Sequence, residues 1–589
     1  MSKRAFLPQS TAGVLSSPYF WLVAVLLALV LLLCLPLAIP IGPMYWDSYF
    51  YLDVAQRIWS GQVPGVDFSL PVGPLTYYLF AWGLSLFPHA QPLLLAQWSM
   101  LVLSAPLMAL ALSEIPREKR YLAFALLIPF LVFAIFPINA QFAHTYPSVD
   151  GFGTYNRQAV LLLYVLVAGL LFLPDGRKLA VLVGFAMLGL FLTKVTGFLV
   201  GGLFCLFSLF AGRISLRNAA LSMVVFVAAL VPMELYNGIV SGYVSDILGL
   251  IAINRGTLLP RFFTVVSTKL DFMLAAAALT LFALWMEVRQ GASAPRFLDR
   301  SLCWLAVTVA GGVIYETQNA GSQEFIFVWP VILLLFERSR AFSPRSRAVF
   351  LVLAAFCAVP TFTTVVSKGL RALAVAPTYV RLDAPLLRNM QQVSSRPDIM
   401  ARSVLLEDFY ADHAGTYEDF ARVGQLPSWQ LYSELDFQMH WLVSVNGAAE
   451  ALTRLEAEKG VRFDTLMSLD FANPFPWILN RGAPRYIAVA GDPGRNVPEM
   501  SERTRQAIEG TDAVLRGKCP VMTGRVMLEA IYADALRDRQ AVPLNRCWDL
   551  LVRPDAFPAL VRARGLPAAE AASVSWLSGD ARLRGAVAH

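Results

Sequence analysis

Residues 42–87 read GPMYWDSYFYLDVAQRIWSGQVPGVDFSLPVGPLTYYLFAWGLSLF, and the rest of the chain is interpreted outward from them. The stretch is too polar to cross a membrane and too aromatic to be a linker. Tyr45, Trp46, Tyr49, Phe50, Tyr51 and Trp59 are residues of the kind that settle at headgroup level. Asp47 to Trp59 has helical spacing, with Tyr51, Ala55 and Ile58 on one side. Pro74 opens a second amphipathic stretch that runs to Phe87, as expected of a helix lying in the interface. An apolar run from Tyr19 to Ile41 precedes all of this, so Asp47 is expected beside the bilayer surface at the end of a first span.

That expectation agrees with the whole composition. Of 589 residues 57% are hydrophobic and 15% charged, and the mean hydropathy is +0.57. Soluble domains carry about a quarter charged residues. The apolar excess ends near residue 366. Runs able to span a bilayer fall at 19–41, 91–114, 121–139, 158–174, 179–193, 197–212, 219–236, 271–288, 301–317, 325–337 and 347–367, which makes about eleven. Lys3 and Arg4 precede the first. It is longer than a signal-peptide core and no small-residue cleavage site follows, so it reads as a retained helix. With the N-terminus inside, alternate connections hold about 16 Lys and Arg against about 6 on the other side, which orients the bundle. An odd number of spans then places the tail outside the cytoplasm. The net charge of +7 is used up in these short clusters, which excludes a nucleic-acid face.

The predicted architecture is a polytopic all-α membrane bundle at 1–367, with its first outer loop at 42–90, and a periplasmic α/β domain at 368–589. In the tail, Ser403–Phe409, Thr465–Phe471, Arg485–Ala490 and Trp548–Val552 are expected as strands, and Glu502–Ile508 and Arg525–Leu536 as helices. Cys34, Cys205, Cys303 and Cys357 lie in apolar runs and read as small hydrophobes. Cys519 and Cys547 lie in the tail, where an oxidising compartment would let them form one disulfide.

Three short motifs resemble one family. Asp47-x-x-x-Tyr51-x-x-x-Ala55, followed by a Gly and a Pro-Leu-x-Tyr-Tyr helix, is similar to the first periplasmic loop of GT-C glycosyltransferases, above all the lipid A aminoarabinose transferase and protein O-mannosyltransferase group. The resemblance implies that Asp47 is the catalytic acidic residue. It implies a second acidic residue after the third span, matched by Asp150 in NAQFAHTYPSVDGFGTYNRQ. It also implies a Leu-Thr-Lys sequence at the outer end of the fifth span, matched by Leu192-Thr193-Lys194, whose lysine meets the donor phosphate. The chain departs from its relatives in two places. Ser48 stands where they often carry Glu, and Gly73 stands where the aminoarabinose transferase has a lysine. Phosphate binding is therefore assigned to Lys194, Arg157 or Arg255.

The chemistry suits those residues. Transfer from a polyprenyl-phosphate sugar to a periplasmic glycan, lipid (lipopolysaccharide among them) or protein needs a base for the acceptor hydroxyl. Cations stabilise the leaving phosphate. Asp47 and Asp150 together could also hold a divalent cation, Mg or Mn. Tyr51, Glu234, Glu316, Gln318, Asn319 and Glu324 lie at outer ends of spans and could line a sugar pocket. Asp53 and Asp67 read as solvated loop carboxylates, and His144, His413 and His440 as incidental. Three other functions compete, one of them a non-catalytic scaffold that presents the tail domain. A flippase for a lipid-linked glycan would show paired broken helices and an internal repeat. A polymerase or ligase using a diphosphate-linked oligosaccharide would carry its basic residues in a large late loop.

Overall fold

The computed structural model describes residues 16–140, 146–254, 258–290, 297–317, 325–426 and 434–562. Each apolar run named above contains a helix, although the first, expected over 19–41, ends at Leu33: Pro18–Leu33, Pro92–Ser99 with Leu101–Leu112, Arg120–Ile135, Thr154–Phe172, Arg177–Thr193, Val195–Ala211, Leu216–Asn237, Leu270–Gln290, Ser301–Glu316, Trp329–Arg338 and Pro344–Val375. Among the described residues, five helices are long and apolar enough to cross a membrane: Pro92–Leu112, Thr154–Phe172, Leu216–Asn237, Leu270–Arg289 and Pro344–Thr378. Others are apolar but shorter, including Pro18–Leu33 and Val195–Ala211.

Two helices show the packing logic. Thr154–Phe172 is buried along almost its whole length, as the hub of the bundle must be. Leu216–Asn237 buries only Ser222 and turns its leucines and valines outward, which suits lipid and not water. The short basic connections gather at one end: Lys119 pairs with Glu337 at 2.9 Å, Lys178 with Glu114, and Arg213 with Asp299 at 2.6 Å. The first loop and the tail meet at the opposite end.

The outer connection 237–270 contains two further helices, Ile239–Ile253 and Leu258–Thr268. The first of them lies against the 42–90 loop, where a Cβ on Gly65 would stand 2.9 Å from the Tyr243 nitrogen and the backbone N–H of Leu70 donates to Asp246 Oδ2 at 3.1 Å.

The helix Pro344–Val375 continues past residue 367 and delivers the chain to two small sheets. In the first, β1 (Ile39–Pro40) runs parallel to β3 (Val393–Ser395), and β2 (Val380–Arg381) is antiparallel on β3's other side. The N-terminal part thus contributes a strand to the tail. The second sheet has the order β4-β5-β7-β6, from Leu466–Ser468, Ala513–Gly517, Trp548–Val552 and Gln540–Pro543. Cys519 and Cys547 are disulfide-bonded at the end of its β5–β7 pair.

Two expected strands differ. Ser403–Phe409 lies inside the helix Pro397–Asp412, whose buried residues Ile399, Ser403 and Tyr410 keep a helical interval. Arg485–Ala490 joins neither sheet, because Tyr486 and Ala490 take φ of 59° and 56° and break the extended run. It pairs instead with the first loop: Ser69 N donates to Ile487 O and Val489 N to Ser69 O, both at 3.1 Å.

The loop therefore lies under the tail. In the helix Phe50–Trp59, Gln56 donates to Arg481 O and Arg57 to Pro484 O, while Gln62 just beyond donates to Ala483 O. Trp46 packs on Phe471 with ring centroids 3.8 Å apart, and Tyr49 stacks on Trp441. Of the aromatic residues expected at headgroup level, Tyr45, Trp46, Tyr49, Phe50 and Tyr51 are buried by this docking and only Trp59 is exposed. Trp82 and Leu86 of the second loop helix, Leu75–Leu86, are exposed instead.

Candidate active site

Asp47 sits in a single 3-10 turn, Tyr45–Ser48, and is buried. The segment 148–153 crosses directly behind it. Val149 N donates to Pro40 O, and a Cβ on Gly151 would come within 2.3 Å of the Tyr45 Cα. Only glycine permits that approach. It delivers the Gly153 N–H to Asp47 Oδ2 at 3.0 Å, at the start of the hub helix. Asp150, also buried, accepts from the Asn139 N–H at 2.6 Å. Burial pushes the Asp47 carboxyl up to about 7, against the pull of the Gly153 N–H, Arg495 and Arg157.

Arg157 stands between the two acids, close enough for both charges to act on it. Its own donors go to Gln97 Oε1, Asn139 Oδ1, Phe152 O and Thr154 Oγ1 at 2.8–3.1 Å. These bonds fix the loop 148–153 to the hub helix. They leave the guanidinium better suited to holding the carboxylates than to meeting a phosphate.

Lys194 occupies the break between Arg177–Thr193 and Val195–Ala211, with extended backbone. It donates to Asn156 Oδ1 at 2.6 Å and lies 4.6 Å from the Tyr315 ring centre and 5.9 Å from that of Tyr155. Glu316 acts on it electrostatically, and Tyr315 donates to Asn156 O. The second loop helix starts against the same break: Gly73 N donates to Thr193 O at 3.0 Å, and a Cβ there would lie 2.2 Å from Leu192 O. A larger side chain at this position has no room in this packing. Tyr51 shares a hydrogen bond with Thr76 on the second loop helix, and its electrostatic neighbours are Tyr155, Asp47 and Arg157.

The structure thus brings Asp47, Asp150, Arg157 and Tyr51 into one group, and Lys194 with Glu316 into another. Asn156 and Tyr155, flanking Arg157 on the hub helix, join the two. Glu234 is used elsewhere. Its Oε2 accepts from the N–H groups of Val240 and Ser241 and caps the helix Ile239–Ile253. Arg255, Gln318, Asn319, Glu324 and His144 lie outside the described residues. Asp53 and Asp67 are not solvated: Asp53 is buried in an ion pair with Arg57 at 3.1 Å, and Asp67 accepts from Val63 N and faces Arg485. The tail covers both.

Sequence reading missed the tail's own share. Arg495 and Asp492, paired at 3.1 Å, lie close enough for their charges to act on Asp47. Asn254 donates to Arg495 O, and Arg495 also acts on Arg261, so the outer connection and the tail close over one side of the site. Nothing local in GDPGRN at 491–496 ties it to a residue more than four hundred positions away.

Among the described residues no group of three or more His, Cys, Asp or Glu could hold a metal ion. Asp47 and Asp150 alone supply fewer ligands than a hard dication takes, and the balance would have to come from water and substrate.

No family model matches the chain, and no curated protein matches it. The solved structures that it resembles are GT-C glycosyltransferases. ArnT from Cupriavidus metallidurans bound to undecaprenyl phosphate is 13% identical, with TM-score 0.40, over 90% of this chain and 97% of that one. The same protein in the apo state gives 13%, TM-score 0.38 and the same coverage. The Archaeoglobus fulgidus oligosaccharyltransferase is 12% identical, with TM-score 0.37, over 87% of this chain and 71% of that one. At these scores the shared shape carries no functional argument.

Proposed function

We propose that the chain is an integral-membrane GT-C-type glycosyltransferase. It takes a sugar from a polyprenyl-phosphate donor and passes it to a periplasmic glycan, lipid or protein, on the outer face of a bacterial inner membrane. The observation that carries this reading is Asp47: a buried carboxyl, held by the Gly153 N–H at 3.0 Å, whose proton affinity burial has raised to about 7. A carboxylate of that affinity is matched to removing a proton from a hydroxyl near neutral pH.

In the proposed step Asp47 takes the proton of the acceptor hydroxyl. The hydroxyl oxygen bonds to the anomeric carbon, and the bond from that carbon to the donor phosphate oxygen breaks with its electron pair going to the phosphate. The carrier leaves as polyprenyl phosphate, and Lys194 opposes the charge it gains. Asp150 and Arg157 hold the Asp47 loop in place. A magnesium or manganese ion at the two acids would supply further positive charge; the chain's own step needs the proton acceptor and the lysine.

The test is sugar transfer in membranes from a radiolabelled polyprenyl-phosphate sugar, comparing the parent with Asp47→Asn. Loss of transfer with unchanged expression and folding supports the reading. Full activity in the variant removes it, and unimpaired translocation of a lipid-linked glycan by that variant would favour a flippase.

A further inference from the structure

A cavity of about 510 Å³ opens at the far end of the second loop helix, away from Lys194. That helix starts at the Gly73–Thr193 contact and ends at Leu86, so the cavity stands about 18 Å from the lysine's side of the loop at 1.5 Å per residue. Its walls are the residues just after the first span, the turn Pro88–His89, and the segment 381–392 of the tail.

The walls are cationic. Arg381 and Arg388 supply the charge, His89 also lines the cavity, and no acidic residue does. Arg388 is held there at some cost: its backbone takes φ 54°, ψ −126°, its Nη1 donates to Trp477 O at 2.8 Å, and its guanidinium lies 3.9 Å from the Trp477 ring centre. Gln392 spends its amide N–H on His89 O at 2.7 Å, while its Oε1 is buried without a donor among the described residues. The lining thus offers guanidinium groups for an anion and one acceptor that lacks a hydroxyl or N–H.

The rim is apolar. Leu35, just before the lining residue Pro36, and Leu86, just before Pro88, are both exposed, at 49% and 75%. Each continues the outward face of a helix read as lying in or on the membrane. A free phosphate needs the arginines only; a lipid needs the arginines and the leucines together.

We infer that this cavity binds the phosphate headgroup of an anionic membrane lipid whose acyl chains run down over Leu86 and Leu35, as a second lipid site separate from the Asp47 group. The inference does not depend on the transferase reading, because its ligand is bound and not transformed.

The test uses the full-length protein in nanodiscs of phosphatidylcholine with or without phosphatidylglycerol, followed by native mass spectrometry after release. The parent is expected to retain phosphatidylglycerol over phosphatidylcholine, and Arg381→Glu to lower that retention about tenfold, the scale of one lost charged contact. Arg381 is exposed on an edge strand of the first sheet, so the variant is expected to fold. Arg388→Gln gives a second reading, with Asp47→Asn as a control that leaves lipid retention unchanged. Equal retention of the two lipids, or retention unaffected by both arginine variants, overturns the site. Displacement of the lipid by millimolar inorganic phosphate alone overturns the lipid assignment in favour of a free anion.

Discussion

Asp47 carries the sharpest consequence at the level of a single residue. An aspartate ionises at 3.8 when solvated and at about 7 here, because burial disfavours the charged form. If it acts as the base, it works ionised, so transfer should rise with pH through about 7 and level off above. A pH–rate profile at subsaturating acceptor reads this directly. Stability has the opposite slope. The raised value means that the fold is favoured while the carboxyl is protonated, fully below about pH 4, and that this contribution is lost as pH rises through about 7. Asp47→Asn should therefore abolish transfer yet be more stable to unfolding than the parent at pH 8, by up to about 4 kcal/mol, with the gap closing toward pH 4. A variant less stable than the parent at pH 8 would show that Asp47 is held ionised by its neighbours. Lys194 gives the complementary expectation. Lys194→Gln keeps the bond to Asn156 possible and removes the charge, so kcat should fall about 100-fold or more, in the range seen when one stabilising group is lost. Chelation with EDTA separates the metal question: activity that survives it shows that the leaving phosphate is stabilised by the chain's own cations without a metal ion.

Elements explain why those residues meet. Asp47 and Asp150 are more than a hundred positions apart, and Gly151 lets their segments touch. Gly151→Ala would place a methyl 2.3 Å from the Tyr45 Cα, so the 148–153 loop must lift away and take the Gly153 N–H with it. A cost of about 1–3 kcal/mol is expected from the overpacking, and a larger fractional loss of transfer than of stability. Thermal unfolding and transfer measured on the same preparation would show whether the two losses diverge. The membrane helices were legible in the sequence because long apolar runs are a strong signal, and so was the helix that follows Asp47, although Asp47 itself sits in a 3-10 turn before it. The loop 148–153 was legible only as glycine-rich, since what it approaches is set by tertiary packing. The helices Ile239–Ile253 and Leu258–Thr268 were hidden for another reason: they lie in a connection, and their purpose, walling the site between the first loop and the tail, appears only when both are in place. The bonds of Glu234 to Val240 and Ser241 were hidden for the same cause, because the helix it caps was not read.

At the scale of the whole molecule the site is shared between two parts of the chain that sequence reading kept separate. The first loop supplies Asp47, the hub helix supplies Arg157, and the tail packs on the first loop and brings Arg495 near Asp47. Arg57 is the joint. It is buried, pairs with Asp53 one turn away at 3.1 Å, and donates to Gln62 Oε1 and to Pro484 O of the tail. Replacing Arg57 with Met keeps the volume of its stem and removes the charge, which strands Asp53 in a buried place without its partner. Breaking such a pair from one side costs about 3–5 kcal/mol, whereas replacing both members with neutral groups of similar size is often close to neutral. Arg57→Met should therefore loosen the loop from the tail and expose residues 42–90 to protease, with transfer falling as Asp47 loses its cover. Arg57→Met combined with Asp53→Asn should recover most of the stability, because no buried charge remains. If the double variant also recovers transfer, the tail acts by shielding the loop; if it regains stability and stays inactive, the bond from Arg57 to Pro484 sets the position of the loop under Arg495, and the tail is part of the active site in its own right. Limited proteolysis and transfer assays on the three proteins decide between these two outcomes.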